Sequence, residues 1–186
     1  VTITVEGKTA KVLIIYFSLS GQSRGLINLL AAGLKQEGIP VTIEKIRAQE
    51  RIVFPFRGII HTFRMMIATF LQIRTPIKTI SSHCFDNYDL IVLGGPTWSY
   101  NPCGPVLSFL DHYGATLFRN QRVLPLISCR VYFRIHIFLL RRRLKSFGAL
   151  LEESVVFSHP VAEPWSSFGV FFKSAGYHPE KMRVLG

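Results

Sequence analysis

The stretch that most limits what this chain can fold into is Val12 to Phe17, VLIIYF, a continuous apolar run. It is too short for a solvent-facing helix and rich in β-branched residues, so it reads as a strand buried on both faces, as in parallel sheets. The run breaks at Ser18-Leu19-Ser20-Gly21-Gln22-Ser23, small or polar residues around one leucine. Apolar residues then recur with helical spacing at Leu26, Ile27, Leu29, Leu30 and Leu34. A strand, a hydroxyl-and-glycine loop and a helix start, in that order, gather free backbone N–H groups and hydroxyls around one point. The helix dipole adds partial positive charge there, which suits a phosphate.

The rest of the chain repeats the alternation. The first helix is predicted over Gly21–Glu37, stopped by Gly38 with Pro40 beyond. Further strands are predicted at Val41–Ile46, Tyr88–Gly94, Arg122–Ile127 and Leu150–Phe157, Pro125 being an awkward interior residue in the fourth. Helices are predicted at Val106–Tyr113, ended by Gly114, at Arg134–Phe147, ended by Gly148, and at Trp165–Ala175, closed by Gly176. Residues Val1 to Ala10 alternate as V-x-I-x-V and read either as a short edge strand or as a loose leader. Helices alternating with apolar strands predict an α/β chain: a parallel sheet with helices on both faces. With 186 residues and 48% hydrophobic content, the chain is long enough for one well-cored domain and short for two.

One segment, about 48–87, is larger than the alternation needs. Its centre, Arg57 to Arg74, sets Ile59, Ile60, Phe63, Met66, Ile67, Phe70 and Leu71 on one side of a helix. Two readings stay open. It is the sheet-covering helix between the second and third strands, enlarged, or it is a cationic amphipathic element that lies on a membrane face or closes over a ligand. Arg64 in its middle argues against a spanning helix.

Ser18-x-Ser20-Gly21-x-Ser23 after the first strand resembles the [ST]-x-[ST]-G-x-[ST] phosphate loop of flavodoxins. A second segment strengthens the likeness. Asp89-Leu90-Ile91-Val92-Leu93-Gly94-Gly95-Pro96-Thr97-Trp98 resembles the third flavodoxin strand and the loop behind it, where G-x-P-T-W or a close variant brings an aromatic against the flavin. The resemblance covers nearly the whole chain in element order. It implies a doubly wound, five-stranded parallel sheet of order 2-1-3-4-5 in a three-layer α/β/α sandwich, with FMN as cofactor.

By resemblance, Ser18, Ser20 and Ser23 would bind the FMN phosphate through their hydroxyls, together with the backbone N–H groups of Ser20, Gly21, Gln22 and Ser23. Arg24 would add charge or face solvent. Pro96, Thr97 and Trp98, followed by Ser99 and Tyr100, would flank the ribityl chain and the ring. The third loop, Ser128 to Tyr132, matches the family by position only; there Cys129 would line the site, and Tyr132, with Tyr100 competing, would stack on the second flavin face. Cys103 and Cys129 fall in neighbouring loops and either meet as a redox-sensitive pair or serve as small buried side chains. The chain departs from the family in one respect: many flavodoxins carry a glycine beside the aromatic whose peptide flips to meet the reduced flavin. Here Ser99-Tyr100-Asn101 follows Trp98. That removes the basis for expecting strong stabilisation of a one-electron-reduced state.

Charge sets the expected partners. Lys and Arg number 22 against 11 Asp and Glu, a formal +11. Electron-shuttling flavodoxins are usually acidic, so the resemblance and the charge disagree in sign. The basic balance points either to an anionic partner (an acidic protein, anionic lipid, nucleic acid or a phosphorylated cosubstrate such as a nicotinamide nucleotide) or to a surface that is simply solvated. Arg141, Arg142 and Arg143, with Arg134 and Lys145, put much of it on one predicted helix. No nucleic-acid-binding module is visible. The scattered histidines and unpaired cysteines form no metal-ligand spacing, and no G-x-S-x-G elbow occurs. No signal-peptide pattern precedes Lys11, and no apolar run reaches the ~18 residues of a membrane span, so a cytoplasmic place, with peripheral attachment at the inner membrane face, is expected.

Three functions follow as expectations. The first is a one-electron carrier. The second is an FMN-dependent oxidoreductase that passes electrons from NAD(P)H to quinone-like acceptors. The third is a membrane-surface or interaction protein on the same scaffold.

Overall fold

The computed structural model describes residues 4–5, 8–56, 58–129, 133–158 and 175–176. A two-stranded antiparallel ladder, β1 (Thr4–Val5) with β2 (Lys8–Thr9), precedes the main sheet. The buried run of the sequence becomes β3 (Val12–Tyr16), and every residue in it is buried. Its successors are α1 (Gln22–Gln36), β4 (Val41–Lys45), α2 (Ile59–Phe70) and a single 3-10 turn at Ser82–Phe85. There follow β5 (Leu90–Trp98), β6 (Asn101–Pro102), α3 (Gly104–Leu117), β7 (Arg122–Cys129), α4 (Phe133–Ser146), β8 (Leu150–Leu151) and β9 (Val155–Ser158). The order across the sheet is β4-β3-β5-β7, with β8 and β9 both on the outer edge of β7. All these pairings are parallel.

The period of a strand divides β3 between two cores. Leu13 and Ile15, with Ile91, Leu93, Val123 and Ile127, meet α3 and α4 through Val106, Phe109, Leu110, Leu140 and Leu144. Val12, Ile14 and Tyr16, with Val92 and Leu126, meet Ile27 and Ala31 of α1. The double glycine of β5 serves both sides. A Cβ on Gly94 would come within 3.0 Å of Ile27 Cδ1, and one on Gly95 within 3.1 Å of Val106 Cγ2. A bare backbone there lets the helices sit close on both faces.

Several sequence boundaries need correcting. The third strand runs on to Trp98, because its last residues pair with β6: Thr97 opposite Pro102 and Trp98 opposite Asn101. Likewise β7 continues through Ser128 and Cys129, so the third loop starts later than expected. The helix predicted to end at Gly114 runs to Leu117. That glycine is an interior packing position, its Cα against the ring of Phe147. The fifth strand is split. Three residues, 152–154, stand opposite Leu124 and Pro125, so the edge bulges beside the one residue of β7 that carries no N–H. Arg141 Nη1 holds the bulge by donating to the Glu152 carbonyl at 2.8 Å. The predicted helix Trp165–Ala175 lies outside the described residues, apart from Ala175.

The largest departure is α2. It does not cover the sheet: no residue of α2 belongs to either core. Its buried residues are Thr62 and Thr69. Their hydroxyls donate to the carbonyls of Gly58 at 3.1 Å and Met65 at 2.9 Å. The apolar side read from the sequence faces outward, with Ile60 82% and Phe70 64% exposed. On this face of the sheet α3, α4 and the residues around Ile77, Ile80 and Cys84 already fill the core.

Candidate functional site

The loop after β3 leads into α1 through Gly21, whose φ of +92° is left-handed and would strain a residue with a Cβ. No side chain caps this helix and no acidic residue stands in its first turn. Ser18 Oγ accepts the amide of Arg24 at 3.3 Å. The amides of Ser20, Gly21, Gln22 and Ser23 have no acceptor among the described residues. A pocket of about 120 Å³ opens there, lined by Ser18, Leu19, Ser20, Gly21, Arg24 and Lys45. Orphan donors, a positive helix end and two cations converge on one small volume, which is the chemistry of an anion cradle. Ser23 is buried, while Gln22 is exposed.

The neighbouring wall is the β5–β6 hairpin. Its two turn residues, Ser99 (φ +41°) and Tyr100 (φ +68°), are both left-handed, the pattern of a type I′ turn, although neither is Gly, Asn or Asp. Asn101, 5% exposed, holds the turn. Its Nδ2 lies 3.2 Å from each of the carbonyls of Thr69, Phe70 and Ser99, and its Oδ1 accepts from Gln72 Nε2 at 3.3 Å. One buried amide thus satisfies C-terminal carbonyls of α2 and ties that helix to the hairpin.

Trp98 is half-buried and meets Phe17 edge-on, with ring centroids 5.7 Å apart at 84°. Phe17 is the residue immediately before Ser18, and its amide donates to the Gly94 carbonyl at 3.0 Å. The aromatic lip and the anion cradle therefore share one anchor. Pro96 pairs with Ser128 in the sheet. Behind the lip, Thr97 Oγ1 lies 2.8 Å from His136 Nδ1 of α4. His136 is 2% exposed, and burial pushes its pKa down to about 3, so the ring is neutral at physiological pH.

Cys129 ends β7, buried, with its thiol pKa raised by burial. Cys103 is fully buried, and burial pushes its thiol up to about 12. Both are free thiols, as is Cys84, so Cys103 and Cys129 do not form a disulfide here. Tyr132 lies outside the described residues.

No family model matches this chain, and no curated protein does. Solved structures do. A flavoprotein from Lactobacillus acidophilus NCFM, in complex with FMN, aligns with a TM-score of 0.62 at 18% identity, over 79% of this chain and 93% of that one. A flavodoxin, WrbA-like protein from Agrobacterium tumefaciens aligns at 0.55 and 12%, over 89% of this chain and 90% of that one. Flavodoxin 1 from Bacillus cereus aligns at 0.53 and 14%, over 95% of this chain and all of that one (100%). This is a flavodoxin-like fold.

In this flavodoxin-like chain the cradle and the lip stand at the carboxyl ends of the adjacent strands β3 and β5, where the sheet order reverses and such folds hold their ligands. The structure brings Ser18, Ser20 and Gly21 together around the pocket, and Trp98 against their anchor. Three residues of the site were missed by sequence reasoning. Lys45 reaches the cradle from the end of β4, opposite Tyr16, a neighbour that only the sheet supplies. Asn101 carried no sequence signal. His136 did: its spacing of four and eight from Leu140 and Leu144 sets it on the buried stripe of α4.

Proposed function

We propose that this chain binds FMN in the cleft between the Ser18–Ser23 loop and the Trp98 lip and passes electrons through it. The observation that carries the reading is the uncapped start of α1, whose free amides converge on a pocket with Arg24 and Lys45. A dianionic phosphate answers those donors and charges better than a neutral ligand. The structural likeness to a flavoprotein in complex with FMN supports the same choice. FMN supplies the redox chemistry when bound.

The residues have separate tasks in this reading. The amides of Ser20 to Ser23, the hydroxyls of Ser18 and Ser20, and the Arg24 and Lys45 cations hold the phosphate. Trp98, braced by Phe17, gives the ring an apolar wall and excludes water from it. Thr97 is held by His136, whose neutral ring adds no positive charge behind the lip. The exposed Tyr100 stands at the tip of the lip.

The hairpin favours two-electron chemistry over one-electron shuttling. The peptide between Ser99 and Tyr100 sits in a turn already left-handed at both residues and pinned through Asn101, so a flip on reduction would have to break that packing. The reading is therefore an FMN-dependent oxidoreductase that takes electrons from a reduced nicotinamide nucleotide and delivers them to a quinone-like acceptor.

Anaerobic reductive titration of the FMN-loaded protein tests it. Direct passage from oxidised to fully reduced flavin, with NAD(P)H as a competent reductant, is expected. A long-wavelength band that accumulates midway and a failure of NAD(P)H to reduce the protein would return the chain to the one-electron carriers.

A further inference from the structure

The exposed side of α2 has no role in the flavin reading and is unlike the surface around it. Ile60, Phe63, Phe70 and Leu71 are 82%, 57%, 64% and 63% exposed, and Val53 before the helix and Ile73 after it are 52% and 55% exposed. Leaving that much contiguous apolar surface in water is unfavourable, and such patches mark surfaces that meet something.

The charge around it says what. From Arg51 to Phe85 the sequence carries no Asp or Glu, while Arg51, Arg57, Arg64, Arg74 and Lys78 are spread along it. Arg74 is engaged by Asp111 at 2.7 Å. Arg51 and Arg64 are exposed and make no ion pair among the described residues. A second copy meeting this segment with its own would offer cations and no carboxylate of the segment to answer them. The helix spans only Ile59–Phe70, and among the described residues no helix is long and apolar enough to cross a membrane. An apolar, cation-bearing helix of this length suits a surface that offers hydrocarbon beneath a layer of negative charge.

We propose that α2 docks the chain on an anionic lipid bilayer, lying in the headgroup plane with Ile60, Phe63 and Phe70 towards the acyl region. Arg51 and Arg64 sit among the phosphates. Because Asn101 ties the last turn of α2 to the Trp98 hairpin, docking sets the lip beside the bilayer surface. Under the flavin reading, that position serves an acceptor dissolved in lipid.

The test is vesicle sedimentation of the full chain without flavin, so the outcome is independent of FMN binding. Vesicles of phosphatidylcholine alone are compared with vesicles containing phosphatidylglycerol, at low and high salt. Wild type is expected on the anionic vesicles at low salt, and at least about tenfold more weakly on neutral ones or at high salt. Ile60→Ser/Phe63→Ser/Phe70→Ser should lose at least about tenfold, and Arg64→Gln about fivefold. Circular dichroism verifies that the variants fold. Should the triple variant not fold, Arg64→Gln and the salt series decide. The proposal is overturned by wild type staying in the supernatant with anionic vesicles at low salt, or by a folded triple variant binding as well as wild type. Sedimentation velocity showing a dimer that the triple variant dissolves would overturn it in favour of a second copy.

Discussion

α2 and α3 are both rich in large apolar side chains, and Arg74, four residues beyond α2, pairs with Asp111 of α3. They spend those side chains in opposite ways. α3 buries Val106, Phe109 and Leu110 against the sheet, whereas α2 buries two threonines and turns its isoleucines and phenylalanines to solvent. The difference lies in what holds each helix. α3 is held by area removed from water, and α2 by polar contacts at its ends: Asn101 at the last turn and the Gly58 amide on the Ala175 carbonyl at 3.2 Å near the first. Apolar content thus tells that a helix has a surface to hide, and only the surroundings tell where.

Truncation gives the sharpest contrast. Phe109→Ala, at a fully buried position, should cost about 3–5 kcal/mol in urea unfolding. Phe63→Ala on α2 should stay within about 0.5 kcal/mol. Equal losses would break the comparison and put α2 in the core.

Burial also sets a pH dependence, at His136 of α4. His136, held near 3 by burial, stays neutral in the folded chain while the unfolded chain protonates near 6.5. The unfolded state therefore binds the extra proton. Its contribution is complete above about pH 6.5 and declines as pH falls towards 3, by up to about 1.4 kcal/mol per pH unit. His136→Gln should flatten that slope in a stability–pH series. A slope untouched by His136→Gln would show that the ring is not buried as described.

The smallest effect is expected between the two helices, at the hairpin. Ser99→Gly removes the side chain from a left-handed position and should stabilise by about 1 kcal/mol or less. A loss of stability would mean that contacts of the Ser99 side chain outweigh the turn strain.

These contrasts separate what the sequence holds locally from what it does not. β3, its loop and α1 were legible because burial on both faces, a left-handed glycine and a helical period are all written within one stretch. The order of the strands came from resemblance, and the structure has it. The outward rotation of α2 was not legible: periodicity defines a face, not its neighbour, and nothing local says that α3 and α4 have already filled that side of the sheet. The hairpin was hidden because its turn lacks Gly, Asn or Asp at the central positions, and Lys45 because it joins the cradle across two strands. At the cradle, sequence supplied the donors and the sheet supplied one of the cations.

The central claim is that the cradle is a phosphate site serving a flavin, and the most direct measurement compares two ligands that differ by that phosphate. Titrating the chain with FMN and with riboflavin, and following flavin fluorescence, should show micromolar quenching by the lip for FMN and binding at least about a hundredfold weaker for riboflavin, the phosphate making several charge-assisted hydrogen bonds. Equal affinity for both would contradict the cradle, and no quenching by either would contradict the site.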